Sequence, residues 1–213
     1  MCSAPAGPTL DLCEDCLRDL PWHDQPHCAQ CALPALHGQT CGHCLKSPPA
    51  FDRTRALLRY GYPVDAMLQR YKYQHLLSMA HTFAGLMLHA LPTAALPDLL
   101  IPMPLHAQRL KERGFNQALE IARIVAGKLA LPLDMHSCTR TKDTAPQVSL
   151  PLKQRVKNMR GAFHCTEDLH GLRIALLDDV MTTSASLNAL AKTVKAAGAA
   201  KVECWVIART LPT

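Results

Sequence analysis

Two adjacent carboxylates, Asp178 and Asp179, stand two residues ahead of a run of hydroxyl and small side chains, Thr182, Thr183, Ser184, Ala185 and Ser186. Small hydroxyl residues opening a helix offer side-chain donors, backbone N–H groups and the positive end of the dipole, which together hold a phosphate. Paired carboxylates one step earlier suit hydrogen bonds from sugar hydroxyls, directly or through a hydrated divalent cation. A sugar phosphate satisfies both halves. The plain alternative is an ordinary N-capped helix after a strand, with the aspartates solvated in the loop.

The elements that must position these residues are readable on either side. Residues 174–177 form a short apolar run suited to a strand buried on both faces of a parallel sheet, with the acidic pair following at its C-terminal end. Leu187, Leu190, Ala191 and Val194 recur at helical spacing, and Gly198 is the stop. A second apolar run, 202–208, completes a parallel crossover unit. The loop therefore leaves the carboxyl end of a strand, where open α/β sheets bind ligands.

Upstream, residues 46–51 read as a Pro-broken linker and 53–60 as a first strand. Helices are expected over 64–73 and about 75–91; Leu76, Met79, Ala80, Phe83, Leu86 and Met87 form the core face of the second. Lys72 could reach a phosphate, although a solvated lysine is the plainer reading. Residues 98–103 are a buried strand, followed by three cations, Arg109, Lys111 and Arg113. Asn116 and Gln117 open a helix reaching about residue 129, and 131–135 suggests another strand. Residues 138–160 read as a long irregular connection with six Lys/Arg and one acidic residue. Such a loop fits either a cationic lid over an anionic site or a track for single-stranded nucleic acid.

Charge and cysteine are unevenly spread. Of 23 Lys/Arg and 17 Asp/Glu, the first 50 residues hold two and five, so the remainder is strongly basic. That suits phosphorylated ligands or nucleic acid. No apolar stretch is long enough to span a membrane and no signal segment opens the chain, so a cytoplasmic protein is expected. Seven of the ten cysteines lie in the first 50 residues, as Cys2 and three C-x-x-C pairs. Cys28, Cys31, Cys41 and Cys44 have zinc-ribbon spacing, and a disulfide framework would require an oxidising compartment. Cys13 and Cys16 need further ligands, available from Cys2, His23, His27, His37 or His43; Cys2 also reads as the surviving half of an earlier pair. Zinc held by four thiolates would be structural. The expected division is a cysteine-rich zinc-binding domain, 1–50, ahead of an α/β domain, 51–213.

The run LLDDVMTTSAS resembles the phosphoribosyl-pyrophosphate (PRPP) motif of type I phosphoribosyltransferases, with Ser184 where glycine is usual. The stretches IPMPLHAQRLKERGFNQALEIA and RTKDTAPQVSLPLKQRVKNMRGAF, set between the cysteine pairs and this loop, are more specific. Together they resemble the ComF/GntX family of competence-related, phosphoribosyltransferase-like proteins. The resemblance implies a type I phosphoribosyltransferase fold (an open, mainly parallel sheet flanked by helices) behind a zinc finger. It also implies a role in DNA uptake during transformation or in DNA utilisation. On it, Asp178 and Asp179 would hold the ribose hydroxyls of Mg-bound PRPP, and Thr182, Thr183 and Ser186, with Ser184 and Ala185 between, its 5-phosphate. Arg109, Arg113, Asn116, Gln117, Arg140, Gln147 and Arg155 are candidates for the diphosphate or lid, argued from charge and position. Two functions follow: a phosphoribosyltransferase, or a non-catalytic module sensing PRPP or contacting single-stranded DNA and competence proteins.

Overall fold

The computed structural model describes residues 2, 4–7, 10–74, 76–91, 94–142, 159 and 161–212. Its main sheet has four strands in the order β1 (Arg53–Arg59), β6 (Lys201–Arg209), β5 (Arg173–Met181) and β2 (Leu99–Pro102), all parallel. The two central strands carry apolar runs, residues 174–177 and 204–208, that suit a sheet covered on both faces: Ile174, Leu176, Val202 and Val206 are all buried. At the N-terminal edge of β5, Arg173 grips Asp98 bidentately (2.6 and 3.1 Å), holding that carboxyl down to about 2.

Helices supply the cover. Between β1 and β2 come α3 (Val64–Tyr73) and α4 (Met79–Ala90). After β2 come α5 (Ala107–Arg113) and α6 (Gln117–Leu129), and α7 (Ala185–Ala196) joins β5 to β6. Tyr71 packs between Phe83 and Phe115 with ring centroids 5.6 and 5.5 Å away, and its hydroxyl donates to the Gln117 carbonyl at 3.0 Å. These contacts tie α3, α4 and α6 into one apolar layer. The open parallel sheet with flanking helices is the expected architecture.

Several sequence expectations change. The strand β5 does not stop at residue 177; it runs through Asp178 and Asp179 to Met181, because β6 pairs with it along that whole length. Residues 131–135 are no strand: Leu133 makes one parallel bridge to Leu100 at the sheet edge. The three cations after β2 sit on a helix, α5, rather than in a loop. The second helix begins at Met79, and Leu76 is exposed rather than part of its core face. The connection taken as irregular from residue 138 opens with β3 (Cys138–Arg140), which pairs antiparallel with β4 (Phe163–Cys165).

The N-terminal segment carries two short helices, α1 (Glu14–Arg18) and α2 (Gly42–Lys46). Leu20 enters the main core, Trp22 bridges to Leu58, and His23 N–H donates to the Leu57 carbonyl at 2.8 Å. Cys28, Cys31 and Cys44 form a small separate buried cluster. No helix among the described residues is long and apolar enough to cross a membrane.

Candidate functional site

The acidic pair occupies the last turn of pleat in β5, so its two side chains leave on opposite faces of the sheet. Asp179 is buried and receives Lys72 Nζ from α3 at 2.7 Å. Lys72 is therefore not a solvated lysine. Burial lowers its pKa, but the charge and hydrogen bond of Asp179, with help from Asp178, outweigh that and leave it raised. Asp178 Oδ1 accepts the Asp179 backbone N–H at 2.9 Å. Burial first, then the neighbouring Asp179 charge, pushes Asp178 up to about 7, against the pull of Lys72 and Arg140. One carboxylate is thus neutralised by a lysine, and the other is poised to change charge near neutral pH.

Beyond Met181 the chain turns through Thr182, Thr183 and Ser184 into α7. Thr182 is exposed, Thr183, Ser184 and Ser186 are half-buried, and Ala185 is buried. Ser184 adopts the left-handed conformation (φ 60°, ψ 2°), which a side chain tolerates poorly and glycine adopts freely. Its hydroxyl folds back to donate to the Thr183 carbonyl at 2.5 Å, while Thr183 Oγ1 accepts the Ala185 N–H at 3.5 Å. Ser184, at the N-cap, makes no side-chain bond to the α7 N–H groups, so it is the Thr183 hydroxyl that meets the start of the helix, at the carboxyl edge of the sheet and close after the carboxylates.

The cationic candidates separate by role. Arg140 on β3 lies over the Phe163 ring (5.8 Å), and its charge acts on Asp178. Arg113 lies over Tyr73 (5.5 Å), donates to Gln117 Oε1 at 2.7 Å, and its charge reaches Lys72. Arg109 is half-buried on the same short helix. Asn116 is committed to architecture: Oδ1 caps α6 by accepting from Ala118 and Leu119, and Nδ2 donates to the Met103 carbonyl. Gln117 is buried and positions Arg113. Gln147 and Arg155 lie outside the described residues.

Two pairings were not legible in the sequence, that of Lys72 with Asp179 and those of Arg209. Lys72 carried only its charge as a signal. Arg209, at the end of β6, is buried; it donates to the Cys31 carbonyl, to Met181 and Thr210 (2.8–2.9 Å), and to Thr182. One guanidinium thereby joins the cysteine knuckle to the backbone of the candidate phosphate loop. A cavity of about 1000 Å³ touches the same loop at Thr183 and Ser184 and extends past Asn188 and Lys192 of α7 to His43 and Cys165. It lies beside the loop rather than over the acidic pair.

The cysteines form two clusters. The sulfurs of Cys28, Cys31, Cys41 and Cys44 all lie within 4.8 Å of one another, as do those of Cys2, Cys13 and Cys16. The Cys16 N–H points at Cys13 Sγ (3.5 Å) and the Cys41 N–H at Cys28 Sγ (3.4 Å), so backbone donors orient both sulfurs. Four convergent sulfurs fit tetrahedral zinc, and the donor set is closed, so the metal is structural. In the second cluster Cys2 supplies the third sulfur; His23 and His27 instead pack on each other (4.6 Å), and His43 lines the cavity.

Residues 1–45 match the double zinc ribbon domain family. Among solved structures, the chain is similar to the allosteric regulatory enzyme of purine biosynthesis (TM-score 0.40, 13% identity, 61% of this chain but 25% of that one). It is also similar to a purine phosphoribosyltransferase from Pyrococcus horikoshii (TM-score 0.30, 16% identity, 74% and 88%). Among characterised sequences, DNA utilization protein YhgH of Shigella flexneri is 33% identical over 195 residues, covering 88% of this chain and 86% of that one. Competence protein F of Haemophilus influenzae is 31% identical over 208 residues, covering 93% and 90%. At this identity and coverage, the chain belongs to the family of DNA utilization protein YhgH and Competence protein F.

Proposed function

We propose that the β5–α7 edge binds PRPP with Mg²⁺, and that the protein uses this site within DNA utilisation or competence, the roles named for its relatives. One observation carries the reading. An acidic pair, Asp179 buried and Asp178 half-buried, lies near the carboxyl end of a central parallel strand, and the turn after that strand delivers hydroxyls and a helix N-terminus, so sugar and phosphate contacts lie close together along the chain. Asp178 and Asp179 would accept the ribose hydroxyls, and Thr182, Thr183 and Ser186 would hold the 5-phosphate, with Ser184 and Ala185 shaping the backbone between them. Arg140 and Arg113 supply positive charge toward the diphosphate. A divalent ion bound with PRPP would neutralise part of the diphosphate charge. If the site turns over, diphosphate leaves C1 as a nitrogen nucleophile attacks, and catalysis rests on positioning and charge stabilisation.

A binding module without turnover is the second reading, favoured by Ser184. Its side chain stands in a left-handed turn where the backbone must approach a phosphate. Titrating Mg-PRPP calorimetrically into the zinc-loaded protein, and into an Asp178→Ala, Asp179→Ala double variant, tests the site. Binding that requires the carboxylates supports the proposal, and diphosphate release with nucleobase acceptors then separates enzyme from module. No binding by a folded wild type refutes it.

A further inference from the structure

Cys138 and Cys165 lie far along the chain from both cysteine clusters and face each other across the β3–β4 pair. The ladder around them is defined: Thr166 N–H donates to the Ser137 carbonyl at 3.0 Å, and Thr141 N–H to the Ala162 carbonyl at 2.9 Å. Hydrogen-bonded and non-hydrogen-bonded pairs alternate along antiparallel strands, so Cys138 and Cys165 occupy a non-hydrogen-bonded position. There the Cα atoms approach to about 4.5 Å and side chains project to one face. That spacing lies at the short end of the range a disulfide spans, so the bond can form but is strained and readily reduced again.

We propose that Cys138 and Cys165 are a thiol–disulfide couple, oxidised by a low-molecular-weight disulfide to a cross-strand bond and restored by a thiol. Cys165 is the point of entry: it is partly exposed, lines the cavity beside α7, and its thiol donates a weak 3.6 Å bond to the Glu167 carbonyl. Its thiolate attacks the small disulfide, forming a mixed disulfide and releasing one thiolate. Cys138, buried beneath it, then loses its proton and attacks Cys165 Sγ, expelling the second thiolate. Two protein thiols and one small disulfide thus yield one protein disulfide and two small thiols. Burial, then the Cys165 charge, pushes the Cys138 thiol up, so capping Cys165 removes one of the causes that keep Cys138 protonated. The bond would lock the register that places Arg140, two residues past Cys138 on the same face, over Phe163 and within electrostatic reach of Asp178. The inference does not depend on which ligand the site takes.

Reduced, zinc-loaded protein should be incubated with excess glutathione disulfide, quenched in acid, alkylated unfolded and mapped by peptide mass, with zinc release followed in parallel. The expected product is a Cys138–Cys165 cross-link with zinc retained. Cys138→Ser should instead stop at Cys165 joined to glutathione, and Cys165→Ser should leave Cys138 unmodified. Full alkylation of both cysteines while the ribbon cysteines oxidise and release zinc would overturn the proposal. So would cross-links from either residue to a ribbon cysteine.

Discussion

Ser184 holds a backbone conformation that costs a non-glycine residue about 1–2 kcal/mol, because Cβ crowds the following carbonyl. Ser184→Gly should raise stability by roughly 1 kcal/mol in denaturant unfolding and tighten Mg-PRPP binding, since the same Cβ narrows the phosphate approach. Asp178 gives a pH signature. Its value in the fold, about 7, exceeds the ordinary 3.8, so the fold prefers the neutral acid. The resulting stability is complete below about pH 4 and is lost as pH rises through about 7. Asp178→Asn keeps the neutral form throughout, so its melting temperature should gain on wild type across that window; parallel curves would refute the assignment. A ligand that needs the carboxylate should bind wild type more weakly as pH falls below 7, by up to about tenfold per pH unit.

At the scale of elements, the site is a junction of helix ends and strand ends. Asn116 closes α6 at two N–H groups and ties it to the end of β2 through Met103. Asn116→Ala should cost about 1 kcal/mol by chemical denaturation, with PRPP affinity falling only as far as Arg113 is displaced. The α3–β5 contact is of another kind. Removing Lys72 leaves two neighbouring carboxylates without their counter-charge, and like charges that close do not both ionise readily. Lys72→Met should therefore shift the onset of Mg-PRPP binding to higher pH, a displacement visible in titrations repeated from pH 6 to 9.

Across the whole molecule, the cysteine-rich segment and the sheet are joined by a buried cation. Arg209 satisfies carbonyls from Cys31 on one side and from Met181 and Thr182 on the other. Those carbonyls lose their donor together if the guanidinium is removed, at a desolvation cost of about 1–3 kcal/mol for each group left unpaired. Arg209→Met should destabilise the protein and loosen the phosphate loop. Stripping zinc with a chelator should weaken Mg-PRPP binding even though no cysteine touches the proposed site. Unchanged affinity in the zinc-free, still folded protein would show that the ribbon and the loop are energetically separate.

Much of this was legible from residue order alone. The spacing of 174–208 determined a strand–loop–helix–strand unit, because burial on both faces demands unbroken apolar runs and a covered helix demands a 3.6-residue stripe. The C-x-x-C pairs determined a four-thiolate cluster, because two knuckles suffice to surround one tetrahedral ion. The bounds of α3 and α6 followed from the same periodicity. What one dimension could not carry was pairing at a distance. Lys72 finds Asp179 only because α3 packs over the end of β5, and Arg209 reaches Cys31 only because β6 lies beside β1. Cys138 faces Cys165 through a strand register that short polar strands do not announce. The extension of β5 through its aspartates was likewise decided by its neighbour β6: local chemistry marks carboxylates as loop residues, whereas a partner strand can keep them in the ladder. Residue types and spacing thus established which chemistry was present; the tertiary structure decided which charges and thiols meet.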